Sequence, residues 1–532
     1  MPSKTIPSEP LPATVQGSPS RWFQFLVPSV TDLLFAALLL GLSCGALGRL
    51  LLRDATIGWH IRNGQQMLLT HAITRTDPFS STMGGHAWYA WEWLYDVLIA
   101  IIYQVLGLNG VVFYSAAVIA ATFVLTLHVC LNEKSNLPVT LLLLILSLGA
   151  SAVHFLARPH VISWLFTVVW FEILDSTERH PAESRKLFWL PILMLLWVNV
   201  HGGFLMGFLL LAVYLLSAIA NYYIGRETRD DHRDRLRSLI LCSGLTFAAS
   251  FVNPYGYHLH VHIWQYLSNR FLMDRISEFL SPDFHGAAQQ CFAVLLIVAI
   301  AVLASAAGKP RISRLLVAVL AAYSGLYATR SLPTSALLIT LVIAPALSQT
   351  ISEAAGNVRL ASWLRALISQ LDSFGARMGR LEVQLRGHVW LVLVFMVGLL
   401  ACLHHGRIGS EQVINAYFDG KRFPVEATDV IAKSEVHEPI FSLDYWGGYL
   451  VYRLYPQTKV VVDDRHDLYG AEFIKDYLKI VLVQSDWNKV LDQKHVNWVL
   501  VPSESSLANI LKLTPEWSVI HQDSTATLFH RH

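Results

Sequence analysis

The stretch DATIGWHIRNGQQMLLTHAITRTDPFSSTMGGHAWYAWE, residues 54–92, decides how the chain is read. It is the first polar segment after the first long apolar run, and it starts with an acid, Asp54, at the end of that run. A short amphipathic pattern follows, then a Thr-Asp-Pro turn around Asp77, then an aromatic cluster that ends in Glu92. An acid at a membrane edge, followed by amphipathic and aromatic residues, fits a loop lying along the outer rim of a membrane-embedded site.

The rest of the chain supports a membrane setting. It has 532 residues, of which 54% are hydrophobic and only 15% charged; soluble domains carry about 25% charged residues. Mean hydropathy is +0.45. Apolar runs near 30–52, 92–106, 109–131, 138–154, 160–177, 187–200, 203–223, 237–253, 289–307, 312–329, 334–349 and 388–406 predict a polytopic α-helical protein. The expected count is about eleven to thirteen helices. The five cysteines all lie in apolar runs without metal-type spacing, and read as small buried hydrophobes. Residues 1–27 are polar and Pro/Ser-rich, and read as a disordered cytoplasmic tail.

Charge sets the orientation. Basic residues cluster around Arg179–Lys186, Arg226–Arg237, Lys309–Arg314 and Arg359–Arg386. The positive-inside rule places these loops in the cytoplasm. Residues 53–91, 155–160, 201–203, 254–288, 330–333 and everything after 406 then face outward. Membrane domain 28–406 alternates correctly except between 92 and 137, where two apolar runs stand in place of one crossing. Either one run is interfacial or re-entrant, or the loop Asn132–Asn136 faces outward. Segment 351–387 is basic and amphipathic, and reads as a helix on the cytoplasmic surface. Residues 407–532 read as an extracytoplasmic α/β domain. Its expected strands are Pro439–Leu443, Lys459–Asp463 and Trp498–Val501, with a hairpin from Trp517–Gln522 and Ala526–His530.

Polar residues at the outward boundaries form the candidate site. Arg158 and Arg330 suit a phosphate, because a guanidinium stays charged and grips oxyanions with paired donors. Asp54 suits a general base or a metal ligand, and Glu92 is a second catalytic carboxylate or a helix-start acid. His60, His160, Asn199 and His201 are expected around the pocket. So are Asp444 and Trp446 of SLDYWGGYL, and Asp463 and Arg465 of VDDRHDLYG. The trio Asp463, Asp464 and Asp467 could hold a divalent cation, although Arg465 among them argues for an ion-pair network. No Walker, GxGxxG or GxSxG motif is present, and nothing resembles a nucleic-acid footprint.

These residues together resemble the GT-C glycosyltransferase superfamily. The plan is a first helix ending in an outward acid, here Asp54, then a long outer loop, a multi-helix body and an outer C-terminal domain. The run from Trp91-Glu92-Trp93-Leu94 to Leu106-Gly107 resembles a segment of the protein O-mannosyltransferases and aminoarabinose transferases. SLDYWGGYL is similar to the Trp-Trp-Asp-Tyr-Gly signature of oligosaccharyltransferases. TDPFS, W-x-N-x-H-G-G, NPYG and DxRxDLYG make the whole layout similar to uncharacterised bacterial members of the group. The resemblance implies a transferase of the bacterial cytoplasmic membrane. Its partners would be a polyprenyl-phosphate-linked sugar donor, a protein, lipid or glycan acceptor, and membrane lipids. The rival reading is a non-enzymatic transporter of lipid-linked glycans, or a scaffold for envelope assembly.

Overall fold

The computed structural model describes residues 21–224, 229–305, 310–385 and 387–532. Most of the N-terminal tail, and Arg226, Lys309 and Arg386, lie outside the described residues. Six helices are long and apolar enough to cross a membrane: Gln24–Ser43, Trp93–Asn132, Leu137–His154, Gly202–Tyr223, Ala287–Ser305 and Thr329–Gly356. Two shorter apolar helices, Ile312–Tyr327 and Val389–Leu403, run beside them. Helices His160–Arg179, Trp189–Val200 and Arg229–Ala249 pack against them in the same bundle. The helix over Leu332–Gly356 is buried around its whole circumference from Ser335 through Ala344, as expected of a central helix with no polar face.

Contacts define two ends of the bundle. At one end Glu133, Asp175 and Glu178 meet Arg179, Arg235, Arg311 and Arg314 in one ion network. Asp32 pairs with His388, and Asn136 bonds Ser348 and Leu371, at this same end. At the other end the turns near 53, 153–160, 199–203, 252–255, 278 and 330 converge. There Arg53 bonds the carbonyl of Ala152, Trp93 bonds Asn199, Asn199 bonds the carbonyl of Val252, and Thr329 bonds that of Leu280.

This arrangement resolves the conflict between 92 and 137. Trp93–Asn132 is a continuous helical element broken at Gly107, where φ is 63° and ψ is −161°. Both sides of the break stay at the converging end: Asp96 bonds Asn63, and Asn109 bonds Ala416 of the C-terminal domain. Asn132 and Glu133 lie at the opposite end. The part before Gly107 therefore stays at that end of the bundle, and the part after it runs to the opposite end. A glycine is needed at the break because a side chain at that φ meets its own backbone.

The C-terminal domain carries a four-stranded sheet. Ile440–Ser442 pairs in parallel with Trp498–Pro502, which pairs antiparallel with Ala526–Arg531, and Trp517–Gln522 closes the hairpin. The strand expected at Lys459–Asp463 is not formed. Val460 makes only isolated bridges, to Ile440 on one side and to Ser80 of the first loop on the other. The Val460 N–H donates to the carbonyl of Phe79 and its carbonyl accepts from Ser81, while Ile440 bonds the neighbouring Lys459 and Val461. That sharing ties the first loop to the domain.

The two units touch closely through glycines. Helix Thr56–Thr70 of the first loop packs on helix Asp444–Leu454. A Cβ on Gly58 would lie 2.2 Å from the carbonyl oxygen of Gly448, and one on Gly448 would lie 2.4 Å from that of Ala55. Backbone cannot give way as a flexible side chain does. Gly448→Val is therefore expected to destabilise by about 1–3 kcal/mol. A clear fall in the thermal midpoint of the purified protein checks this, and an unchanged midpoint would contradict the packing.

Candidate functional site

A cavity of about 520 Å³ opens where the turns converge. Its walls come from the first loop, the starts of the helices at 93 and 160, the 201–209 segment, residues 278–279, the 324–334 segment and the C-terminal domain. Aromatic rings of Trp59, Trp88, Tyr89, Trp91, Trp164 and Tyr266 cover much of it. Glu92, Arg158, Arg330 and Asp464 supply charge.

Asp54 does not line this cavity. It sits in the turn before the helix at Thr56, and its Oδ2 lies 3.1 Å from Arg158. Its Oδ1 accepts the backbone N–H of Thr56 at 2.8 Å. Arg158 also pairs with Glu278 at 2.7 Å. Burial alone would raise the Glu278 carboxyl, but Arg158 and Arg330 hold it well below the usual range. Arg158 thus fills the gap between two carboxylates, the place a cation linking them would take. The Thr56 hydroxyl also contacts Asp464, whose other oxygen accepts the indole N–H of Trp59 at 3.0 Å. Burial and the neighbouring Asp54 push the Asp464 carboxyl upward.

Glu92 occupies the best-furnished position. It is the residue before the helix at Trp93, its side chain is 15% exposed, and burial raises its carboxyl to about 7. Two imidazoles flank it at 3.7 Å: Nε2 of His60 from one side and Nε2 of His201 from the other. Burial holds His60 down to about 3 and His201 well below its ordinary value, so both rings are neutral. Nδ1 of His60 shares a hydrogen bond of 2.5 Å with Asp96, and its Nε2 has no hydrogen-bond partner among the described residues. Nδ1 of His201 accepts the N–H of Gly203 at 3.0 Å, which leaves its Nε2–H as a donor facing Glu92.

Arg330 lines the cavity without a carboxylate partner within ion-pair distance among the described residues. Its guanidinium lies 4.5 Å from the centre of the Phe279 ring. Of the two arginines expected to hold phosphate, Arg330 is available and Arg158 is engaged by Asp54 and Glu278.

The other expected pocket residues divide. His160 and His201 line the cavity, and His160 contacts the carbonyl oxygen of His154 at 2.9 Å. His60 is fully buried behind Glu92. Asn199 is consumed in structure: it takes the Trp93 indole N–H at 2.7 Å and donates to the carbonyls of Leu195 and Val252. Asp444 and Trp446 do not reach the cavity. Asp444 pairs with His466 at 2.8 Å, and Trp446 is buried with its indole on the carbonyl of Arg422. The SLDYWGGYL stretch is thus used for packing and for the Gly448 contact.

Asp463 grips Arg465, and Arg465 reaches across to Asp77 of the first loop at 2.8 Å. The acidic trio does not converge on one point, since Asp464 faces Thr56 and Asp467 faces His262 at 3.2 Å. The described residues that do bring three possible metal ligands together are Glu426, His521 and Asp523, in the C-terminal domain outside the cavity.

Sequence reasoning missed Glu278, Asp96 and Ser163. Asp96 carried a signal, being an acid inside an apolar run. Glu278 sits in a polar outer segment where one acid looks like another. Ser163 bridges the Trp197 indole and His201, and nothing in the sequence marks it.

Known structures give the fold. An archaeal oligosaccharyltransferase AglB from Archaeoglobus fulgidus, in complex with an inhibitory peptide and a dolichol-phosphate, matches with a TM-score of 0.53 at 12% identity, over 89% of this chain and 69% of that one. The same organism's oligosaccharyltransferase tethered with an acceptor peptide matches with 0.53 at 12% identity, over 91% and 70%. ArnT from Cupriavidus metallidurans in the apo state gives 0.49 at 12% identity, over 93% and 96%. The chain shares the overall fold of the two oligosaccharyltransferase structures. No protein-family model matches it, and no curated protein matches it in sequence.

Proposed function

We propose that the chain is a membrane glycosyltransferase that moves a sugar from a polyprenyl-phosphate donor to an acceptor hydroxyl on a protein, lipid or glycan. The carrying observation is the pairing, in one cavity, of a carboxyl poised near neutrality with an arginine that makes no ion pair among the described residues. The dolichol-phosphate bound to AglB supports a lipid-phosphate ligand for a fold of this kind. The basic loops lie at the end opposite the cavity, which supports a reading with the cavity and the C-terminal domain at the outer face of the bacterial cytoplasmic membrane.

In this reading Arg330 holds the donor phosphate and stabilises it as it leaves with the bonding electrons. The acceptor oxygen bonds to the anomeric carbon from the opposite face, with inversion, and its proton passes to Glu92. His60 and His201 flank the carboxyl through this transfer, and His201 Nε2–H favours its ionised form. Asp54 and Glu278 hold Arg158 at the rim, so Asp54 acts by positioning and Glu92 takes the role of base. The aromatic wall of Trp88, Tyr89 and Trp91 offers flat faces for the sugar and acceptor.

The test uses purified full chain in nanodiscs with polyprenyl phosphates carrying labelled sugars. Wild type is expected to release polyprenyl phosphate, and Arg330→Gln to lower that turnover by about 10²–10³. Binding or flipping of intact donor, with no release in wild type, would favour the transporter or scaffold reading.

A further inference from the structure

A second and larger cavity, about 1020 Å³, lies at the end of the bundle opposite the catalytic one. Its floor is the turn at Glu133–Asn136 and the ends of the helices near 311 and 349. Its roof is the amphipathic helix Ser362–Gln384. Asp372, Gly375, Ala376, Gly379 and Arg380 of that helix line the space, at three- and four-residue steps that place them on one face. The opposite face carries Trp363, Leu367, Phe374 and Leu381, all exposed. A helix with its small and polar face toward the bundle and its apolar face outward is suited to the headgroup level of a bilayer. Gly375 is packed directly on Asn136, whereas a Cβ on Gly379 would meet nothing within 4 Å and would point into open space.

The lining is chemically unfinished. Ser135 is 5% exposed, and its hydroxyl is buried with no hydrogen-bond partner. One guanidinium nitrogen of Arg311, Nη1, is buried without a hydrogen bond among the described residues, with Glu178 at 3.7 Å. Arg314 is committed to Glu133 and Asp175, but Lys134 and Arg380 form no ion pair among the described residues. Buried donors without acceptors are costly, and cations beside them call for an oxyanion. Asp372 and Glu353 on the same lining would accept from an ammonium or hydroxyl carried on that anion.

We propose that this cavity binds the headgroup of a glycerophospholipid, with the phosphate between Lys134, Arg380 and Ser135 and the acyl chains along the apolar flank of helix 362–384. The site is separate from the catalytic cavity and in the other leaflet. Its occupant locks the amphipathic helix onto the bundle. The chemistry shared with a free anion is the phosphate, and the roof helix with its apolar outer face points to the lipid as its source.

The test is saturable binding to the delipidated full chain in detergent, read by native mass spectrometry. The probes are short-chain phosphatidylglycerol, short-chain phosphatidylethanolamine and inorganic phosphate. One phospholipid is expected to bind per chain. Lys134→Gln with Arg380→Gln, and separately Gly379→Leu, should each weaken it about tenfold or more. The first variant changes only exposed side chains, so it keeps the test open if Gly379→Leu does not fold. Unchanged lipid affinity in folded Lys134→Gln/Arg380→Gln protein would overturn the site. Inorganic phosphate binding as tightly as the lipids would overturn the assignment to a lipid.

Discussion

Replacing Arg465 with Leu is expected to unseat the C-terminal domain from the first loop. Arg465 is 3% exposed and pairs with Asp463 of its own domain at 2.6 Å and with Asp77 of the first loop at 2.8 Å. Its guanidinium is also boxed by aromatic rings, with the centre of Trp88 at 4.5 Å and that of Phe79 at 5.2 Å. Both carboxylates are buried, Asp463 at 0% and Asp77 at 2% exposure. Removing the shared cation leaves two buried acids unpaired and facing one another, which costs about 3–5 kcal/mol. The expected result is a large fall in thermal midpoint, with faster amide hydrogen exchange over residues 74–92. Adding Asp77→Asn and Asp463→Asn should restore part of the loss, because the charges left behind are the main cost. A single variant that unfolds like wild type, with unchanged exchange in the loop, would show that the clamp contributes little.

Glu92→Gln is expected to lower kcat/KM by about 10²–10⁴, the range for loss of a general base. The pH dependence separates this from a structural effect. A base works when ionised, so wild-type kcat/KM should rise with pH and level off above about 7, where burial has set the Glu92 carboxyl. The residual rate of the Gln variant should lack that rise. Stability should move the opposite way. The folded carboxyl is raised above its unfolded value, so folding favours the protonated form. Its contribution is fully present below the ordinary carboxylate range and is lost as pH rises toward about 7. Gln carries no charge to desolvate. The variant should therefore melt higher than wild type at pH 8, and the two should converge near pH 4. Lost activity together with a lower midpoint at pH 8 would mean that Glu92 holds structure rather than taking a proton.

The features legible in the sequence were those that physics repeats along the chain. Apolar runs located the helices, and the basic loops fall together at one end of the bundle wherever the structure describes them. The anomaly at 92–137 was visible as a counting conflict. Its resolution needed the backbone at Gly107, since an interfacial helix and a spanning one share the same apolar composition. In the site, Glu92 and Arg330 could be marked because charge beside an apolar run is costly and so informative. The division of labour among the acids could not be read. Asp54 and Glu92 look alike in sequence, and only the partners separate them: Arg158 for one, two neutral imidazoles for the other. TDPFS and VDDRHDLYG stood out as motifs, yet the link between Asp77 and Arg465 spans nearly four hundred positions and exists only in the fold. The same holds for Gly58 against Gly448, where what matters is an approach of two backbones.

In the proposed reaction Arg330 and Glu92 serve opposite ends of one displacement. The most direct measurement is a structure of the full chain in nanodiscs with a non-hydrolysable polyprenyl-phosphate sugar bound. The expected result places a phosphate oxygen within about 3 Å of the Arg330 guanidinium. It also places the Glu92 carboxylate on the side of the anomeric carbon away from that phosphate, with room for an acceptor hydroxyl between them. A donor whose phosphate sits on other residues, or whose anomeric carbon faces away from Glu92, would contradict it.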